Sequence, residues 1–154
     1  RRATDIIGFP SAELHLSMDV PDTDIRLALY EVRRNGDVIF LAQDWVRARY
    51  RDSVREQTLV TPGEIDEYRF ENFTLISRTI QAGSVIRVVV APLGASIHME
   101  RNRNSGGVIA DETNADNRTA HVNLHMGPGL SRITIPWGAP RGEPVTPILM
   151  PARR

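Results

Sequence analysis

Apolar residues in this chain alternate with polar ones and do not recur at helical spacing. Ala12, Leu14, Leu16 and Met18 fall on one side of an extended chain, with Glu13, His15 and Ser17 on the other. Successive strand side chains point to opposite faces, so this run predicts a strand with one buried side. Ile25, Leu27 and Leu29 repeat the pattern against Arg26, Ala28 and Tyr30. Arg34-Asn35-Gly36-Asp37 comes next. Asn-Gly suits the positive φ angles of a tight hairpin turn, which makes Val38 to Leu41 the returning strand. Val46, Ala48 and Tyr50 then alternate with Arg47, Arg49 and Arg51, the most regular two-residue period in the sequence. It predicts a strand that carries an arginine stripe on one face.

Thr61-Pro62-Gly63-Glu64 and Gln81-Ala82-Gly83-Ser84 are turns, because Pro presets φ and Gly permits the reversal. Between them Ile65 to Phe73 is extended, with Tyr68 and Phe70 inward. Val85 to Ala91 is a β-branched strand that Pro92 ends. Residues 101–118 carry few apolar groups and predict a long loop. Ala120, Val122 and Leu124 alternate with Thr119, His121, Asn123 and His125, and Ile133 with Ile135 marks the last strand. From Ala139 four prolines and no periodicity predict an irregular tail. The chain divides into a β domain over residues 1–138 and a Pro-rich tail over 139–154. Seven to nine short strands, punctuated about every ten residues and with no helix, predict an all-β antiparallel sandwich.

Composition narrows the function classes. With 19 basic and 19 acidic groups the net charge is zero, so no global attraction to nucleic acid or anionic membrane is expected. No apolar run reaches the roughly 18 residues of a membrane helix, and no signal-peptide pattern opens the chain; the compartment is left open, with a leaning to the cytoplasm. There is no cysteine, which excludes disulfides, thiolate metal sites and thiol nucleophiles. Every basic residue is arginine, so lysine chemistry is excluded too. The chain opens on Arg1 without a methionine, as a processed protein or a piece of a longer one would.

Candidate chemistry is sparse. No Gly-x-Ser-x-Gly nucleophile elbow is present, and Ser84 and Ser105 lie in ordinary glycine-serine turns. Of the histidines His15, His98, His121 and His125, the last two are four apart. On a strand that spacing separates them by roughly 13 Å, too far to share a metal unless the strand bends. Asp19, Asp22 and Asp24 around Pro21 could hold calcium, or bond their own turn backbone. The Arg47, Arg49, Arg51 stripe is either a surface for an anionic partner or a solvent-facing strand side paired with Asp44, Asp52 and Glu56. Asn102-Arg103-Asn104-Ser105-Gly106-Gly107 is either a ligand loop or a structural crossover. The residues singled out for partner contact are Trp45, Arg47, Arg49, Arg51, Asn102 and Asn104. No catalytic residue, cofactor or metal ligand is assigned.

Several segments, in order, carry a family resemblance. They are Thr4-Asp5-Ile6-Ile7-Gly8-Phe9-Pro10, Pro21-Asp22-Thr23-Asp24-Ile25, Tyr30-Glu31-Val32-Arg33-Arg34-Asn35-Gly36 and Val46-Arg47-Ala48-Arg49-Tyr50-Arg51-Asp52-Ser53. Thr61-Pro62-Gly63-Glu64, Ala82-Gly83-Ser84-Val85-Ile86-Arg87-Val88 and Glu100-Arg101-Asn102-Arg103-Asn104-Ser105-Gly106-Gly107 complete the set. From about Thr4 to Trp137 the chain resembles the C-terminal domain of Xaa-Pro dipeptidyl-peptidases and cocaine-esterase-type (CocE/NonD) hydrolases, a group that includes alpha-amino acid ester hydrolases and cephalosporin acylases. The resemblance implies a jelly-roll, galactose-binding-like sandwich that follows a catalytic α/β-hydrolase domain. The serine, aspartate and histidine of the triad would lie upstream, outside this chain. It implies a non-catalytic accessory domain that packs on that catalytic domain of the same parent chain, helps enclose the substrate cleft and takes part in homo-oligomer contacts. A carbohydrate-binding sandwich is the alternative, and it would need exposed aromatics, for which Trp45 and Trp137 are the candidates.

Overall fold

A computed structural model describes residues 2–92 and 104–138. Among them are nine strands and no α-helix: β1 (Thr4–Gly8), β2 (Ser11–Met18), β3 (Asp24–Val32), β4 (Val38–Arg47), β5 (Asp66–Phe70), β6 (Ile76–Ile80), β7 (Val85–Ala91), β8 (Val122–His125) and β9 (Arg132–Thr134). Every pairing is antiparallel. β2 pairs with β5 along one edge, and with β9 and then β8 along the other. β3 lies between β4 and β7, and β1 pairs with β6. The expected tail over 139–154 lies outside the described residues.

The two-residue period places the core. Ala12, Leu14, Leu16 and Met18 of β2 face Ile25, Leu27 and Leu29 of β3, with Tyr68 and Phe70 of β5 and Ile6 of β1 filling the space between. Tyr68 and Phe70 are fully buried, as their alternation predicts. This is the all-β antiparallel sandwich expected from the sequence.

The hairpin after β3 differs in detail. Gly36 alone takes a positive φ, 91°; Asn35 does not. The Gly36 N–H donates to the Arg33 carbonyl (3.0 Å) and the Arg33 N–H to the Asp37 carbonyl (2.9 Å). That is the wider loop in which one glycine closes a bulge, rather than a two-residue turn. Asn35 holds it by bonding Asp37 through both its amide nitrogen (2.8 Å) and its carbonyl oxygen (3.2 Å).

β4 carries a second irregularity. Leu29 pairs with Ala42 but Tyr30 pairs with Phe40, so Leu41 is an extra, unpaired residue. A bulge of this kind shifts the side-chain alternation by one. Val38 and Phe40 before it, and Gln43 and Trp45 after it, therefore share the outer face despite their opposite parity. Leu41 and Ala42 are both buried.

Glu31 continues the inward stripe of β3 beyond Leu29 and is fully buried. Its carboxylate accepts from the Gln81 N–H (2.9 Å), the Ser84 hydroxyl (2.8 Å) and Arg78 Nε (3.1 Å). It thereby clamps β3 to β6 and to the Gln81–Ser84 turn, where Gly83 is required at φ 85°. A Cβ there would stand 2.0 Å from Arg34 Nε. Burial pushes the Glu31 carboxyl up, but the three donors outweigh it and hold the group below the ordinary carboxylate range.

A depressed folded pKa gives stability that is present above the unfolded value, about 4.3 for Glu, and is lost as pH falls through the folded value. Glu31→Gln should cost about 1.5–3 kcal/mol at pH 7, the range for hydrogen bonds to a charged group. The gap between variant and native protein should narrow as pH falls below about 4.3 and close below the depressed folded value. Urea midpoints measured from pH 7 to pH 3 check both.

Candidate functional site

The arginine stripe does not continue along a strand beyond Arg47. β4 ends at Arg47 and Ala48–Tyr50 form a 3₁₀ turn. The cause is the Asp22 side chain. Its Oδ1 accepts the Arg49 N–H (3.0 Å) and its Oδ2 accepts Arg49 Nε (2.7 Å) and Arg47 Nε (2.8 Å). A carboxylate that captures a backbone N–H competes with the sheet ladder, and the chain turns to reach it. Arg47 also grips Asp24 through Nη1 (3.0 Å). Two carboxylates and two guanidiniums thus meet where β2–β3, the end of β4 and two loops converge. Arg49 Nη1 carries the network outward to the Gln57 side chain (3.1 Å) and the Gly107 carbonyl (2.9 Å).

This corrects the reading of a solvated stripe. Arg49 is buried and the side chains of Arg47 and Arg51 are about nine-tenths buried. Asp44, expected to pair with the stripe, instead turns inward. It accepts from the backbone N–H groups of Trp45 and Asn72 (both 2.8 Å), and burial holds it above the ordinary carboxylate range. Arg51 bonds the carbonyls of Ala48 (3.2 Å) and Thr58 (2.7 Å). Asp22 and Asp24 bond these arginines rather than their own turn. Burial also pushes Asp24 up, against the pull of Arg47.

The other singled-out residues separate. Asn104 is buried and clamps its loop, bonding the Arg118 carbonyl through Nδ2 and the Arg118 N–H through Oδ1 (3.0 Å). This is the structural side of the two loop readings. Asn102 and His98 lie outside the described residues. Trp45 is exposed on the outer face of β4. His121 pairs with Asp19 (2.6 Å) and His125 with the Ser17 hydroxyl (2.8 Å). Among the described residues no group of three or more His, Asp or Glu could hold a metal ion.

The Ser17–His125 contact has the components of a nucleophile and base. Ser17, however, lies within β2, paired with Asn123, and is buried. No carboxylate among the described residues bonds the His125 ring. The contact ties β2 to β8; sequence spacing could not foresee it, because it depends on their register.

Two stretches of apolar surface bear on partner contact, besides exposed residues elsewhere such as Phe9 and Met126. One is a cleft of about 630 Å³ where the layers part between β7 and β8, walled by Leu16, Ile25, Val90 and Leu124. The other is the outer face of the β4-β3-β7 sheet, where Arg26 bonds Gln43 (2.7 Å) and Tyr30 (3.0 Å) and Tyr30 packs edge-on against Phe40.

Removing one charge from the buried network leaves the others uncompensated, at about 3–5 kcal/mol. Asp22→Asn should lose stability on that scale, and adding Arg49→Met should recover part of the loss. Urea unfolding of both variants tests this, and a double variant weaker than Asp22→Asn alone would refute it.

Comparison with known proteins agrees with these features. Residues 1–130 match the X-Pro dipeptidyl-peptidase C-terminal non-catalytic domain. The chain is 35% identical over 124 residues to the cocaine esterase of Rhodococcus sp. (strain MB1 Bresler), covering 80% of this chain and 21% of the esterase. Its fold is similar to that of an aminopeptidase from a marine sediment Thaumarchaeota archaeon (TM-score 0.77, 21% identity, 90% of this chain and 24% of that one). It is similar also to an alpha-amino acid ester hydrolase (TM-score 0.75, 21% identity, 88% and 24%). The chain therefore spans about a fifth of the esterase and a quarter of the two structures. An all-β sandwich matched over residues 1–130 places this chain in the family of X-Pro dipeptidyl-peptidase C-terminal non-catalytic domains.

Proposed function

We propose that the domain serves a serine ester or amide hydrolase of the X-Pro dipeptidyl-peptidase or cocaine-esterase type. It packs on the α/β-hydrolase domain of the same parent chain, borders the substrate cleft and contributes to oligomer contacts. The parent reaction is acyl transfer through a serine ester, with the oxyanion held by donors of the catalytic domain. One observation carries the reading: a chain of this family corresponds to only 21% of a cocaine esterase, so most of such a hydrolase lies in other domains. The half-exposed apolar residues along β7 and β4 support a domain that is covered in its working state. Trp45, of the residues singled out for partner contact, presents such surface.

The isolated chain should hydrolyse p-nitrophenyl esters no faster than buffer. Turnover that disappears on Ser17→Ala would instead make the Ser17–His125 pair catalytic and overturn the accessory reading. The coding sequence upstream of Arg1 should contain a Gly-x-Ser-x-Gly elbow. Deleting residues 2–138 from the parent should lower its melting temperature and its esterase activity together, and an unchanged parent would count against the proposal.

A further inference from the structure

We propose that the outer face of the β4-β3-β7 sheet is the surface that meets the hydrolase part of the parent chain, and that it fits an apolar patch flanked by carboxylates. This rests on the accessory-domain reading above and fixes where that contact is made.

The face is assembled by register. Arg26 lies across from Trp45, Tyr30 from Phe40 on one side and Arg87 on the other, and Val32 from Val38 and Val85. Cross-strand partners share a face, so these residues form one surface. The Leu41 bulge is what brings Phe40 and Trp45 onto it together. Exposure is 51% at Val38, 48% at Phe40, 46% at Trp45 and 56% at Val85. Large apolar side chains left half in water on both strands that flank β3 differ from the singly scattered ones of an ordinary surface.

Size and charge select the occupant. Three strands about 4.8 Å apart, each showing four outward residues at a repeat of about 6.8 Å, give roughly 400 Å². Stable complexes of free proteins bury about 800 Å² on each partner. Domains of one chain meet over about 300–750 Å² a side, because the linker holds them at an effective concentration of order mM. The area suits a tethered domain and falls short for a second free copy. The outward positions of the three strands carry Arg26 and Arg87; the carboxylate there, Asp24 at the start of β3, is buried and bonded to Arg47 (3.0 Å), so the complementary surface is apolar with acidic flanks. A sugar is a poorer fit. Tyr30 and Phe40 cross at 69° instead of forming a flat platform, and Arg26 already donates to Gln43 and Tyr30.

The absence of cysteine allows a direct test. Trp45→Cys, Val85→Cys, Leu124→Cys in the cleft and Val54→Cys in an exposed loop would be made singly, in the 154-residue chain and in the intact parent hydrolase. N-ethylmaleimide labelling of each site would be followed by peptide mass spectrometry, with circular dichroism to check folding. The expected result is a labelling rate at positions 45 and 85 at least about tenfold lower in the parent than in the isolated chain, with position 54 unchanged. Arg87→Glu should lower the melting temperature of the parent and leave that of the isolated chain unmoved. A purely structural role would move both.

Protection of position 124 but not of 45 and 85 would overturn this assignment while leaving the accessory reading intact. Protection at none of the three would overturn both. The assignment also fails if the isolated chain sediments as a dimer that Trp45→Ser dissociates, since the occupant would be a second copy. Binding to a glycan array that Trp45→Ser abolishes would reassign the face to a sugar.

Discussion

The Asp22 carboxylate is the constraint on which the arrangement turns. It is fully buried, and a buried charge of this kind persists only where opposing charges and donors replace its water. Arg47 and Arg49 supply them, and each has to come from a defined place. Arg47 must be the last residue of β4, and Arg49 must bend the chain until its own N–H also reaches the carboxylate. Loops join through Gln57 and Gly107. The position of one carboxylate thus sets where a strand stops and how two loops dock. Glu31 repeats the device for β6 and the turn before β7. Apolar burial drives the layers together without direction, and the buried carboxylates decide their ends.

The same division organises function. With Glu31 and Asp44 facing inward and Asp24 buried against Arg47, the exposed outward positions of β3, β4 and β7 carry no acid. Those positions could then be given to valine and aromatic side chains without disturbing the core. Membership of a non-catalytic domain family accords with a molecule whose ionisable groups tie one segment to another.

Much of this was legible beforehand. The strict alternation in β2 and the first half of β3 identified the inward residues, and turn chemistry placed Gly36, Gly63 and Gly83. Alternation failed at Arg47–Arg51 for a physical reason. A two-residue period records only where apolar groups recur, and it is blind to a distant carboxylate that captures the Arg49 N–H. Alternation could not set Trp45 beside Phe40 either, because a bulge leaves no mark in the sequence and Phe40 has the opposite parity. β1 and β6 went unassigned as strands, since β1 sets Ile6 beside Ile7 and β6 has apolar residues only at its two ends, Ile76 and Ile80, so neither shows a two-residue period. The family resemblance reached further than periodicity did, because it draws on the order of turn and charge motifs along most of the chain.

The buried meeting of Asp22, Asp24, Arg47 and Arg49 also bears on behaviour in heat. Hydration of ions carries a strongly negative entropy, so the cost of keeping charges dry falls as temperature rises, while the gain per unit of apolar area levels off. Warming therefore shifts relative weight from the apolar layers to this junction. The place where β4 ends and two loops dock becomes comparatively firmer as the domain approaches its melting point.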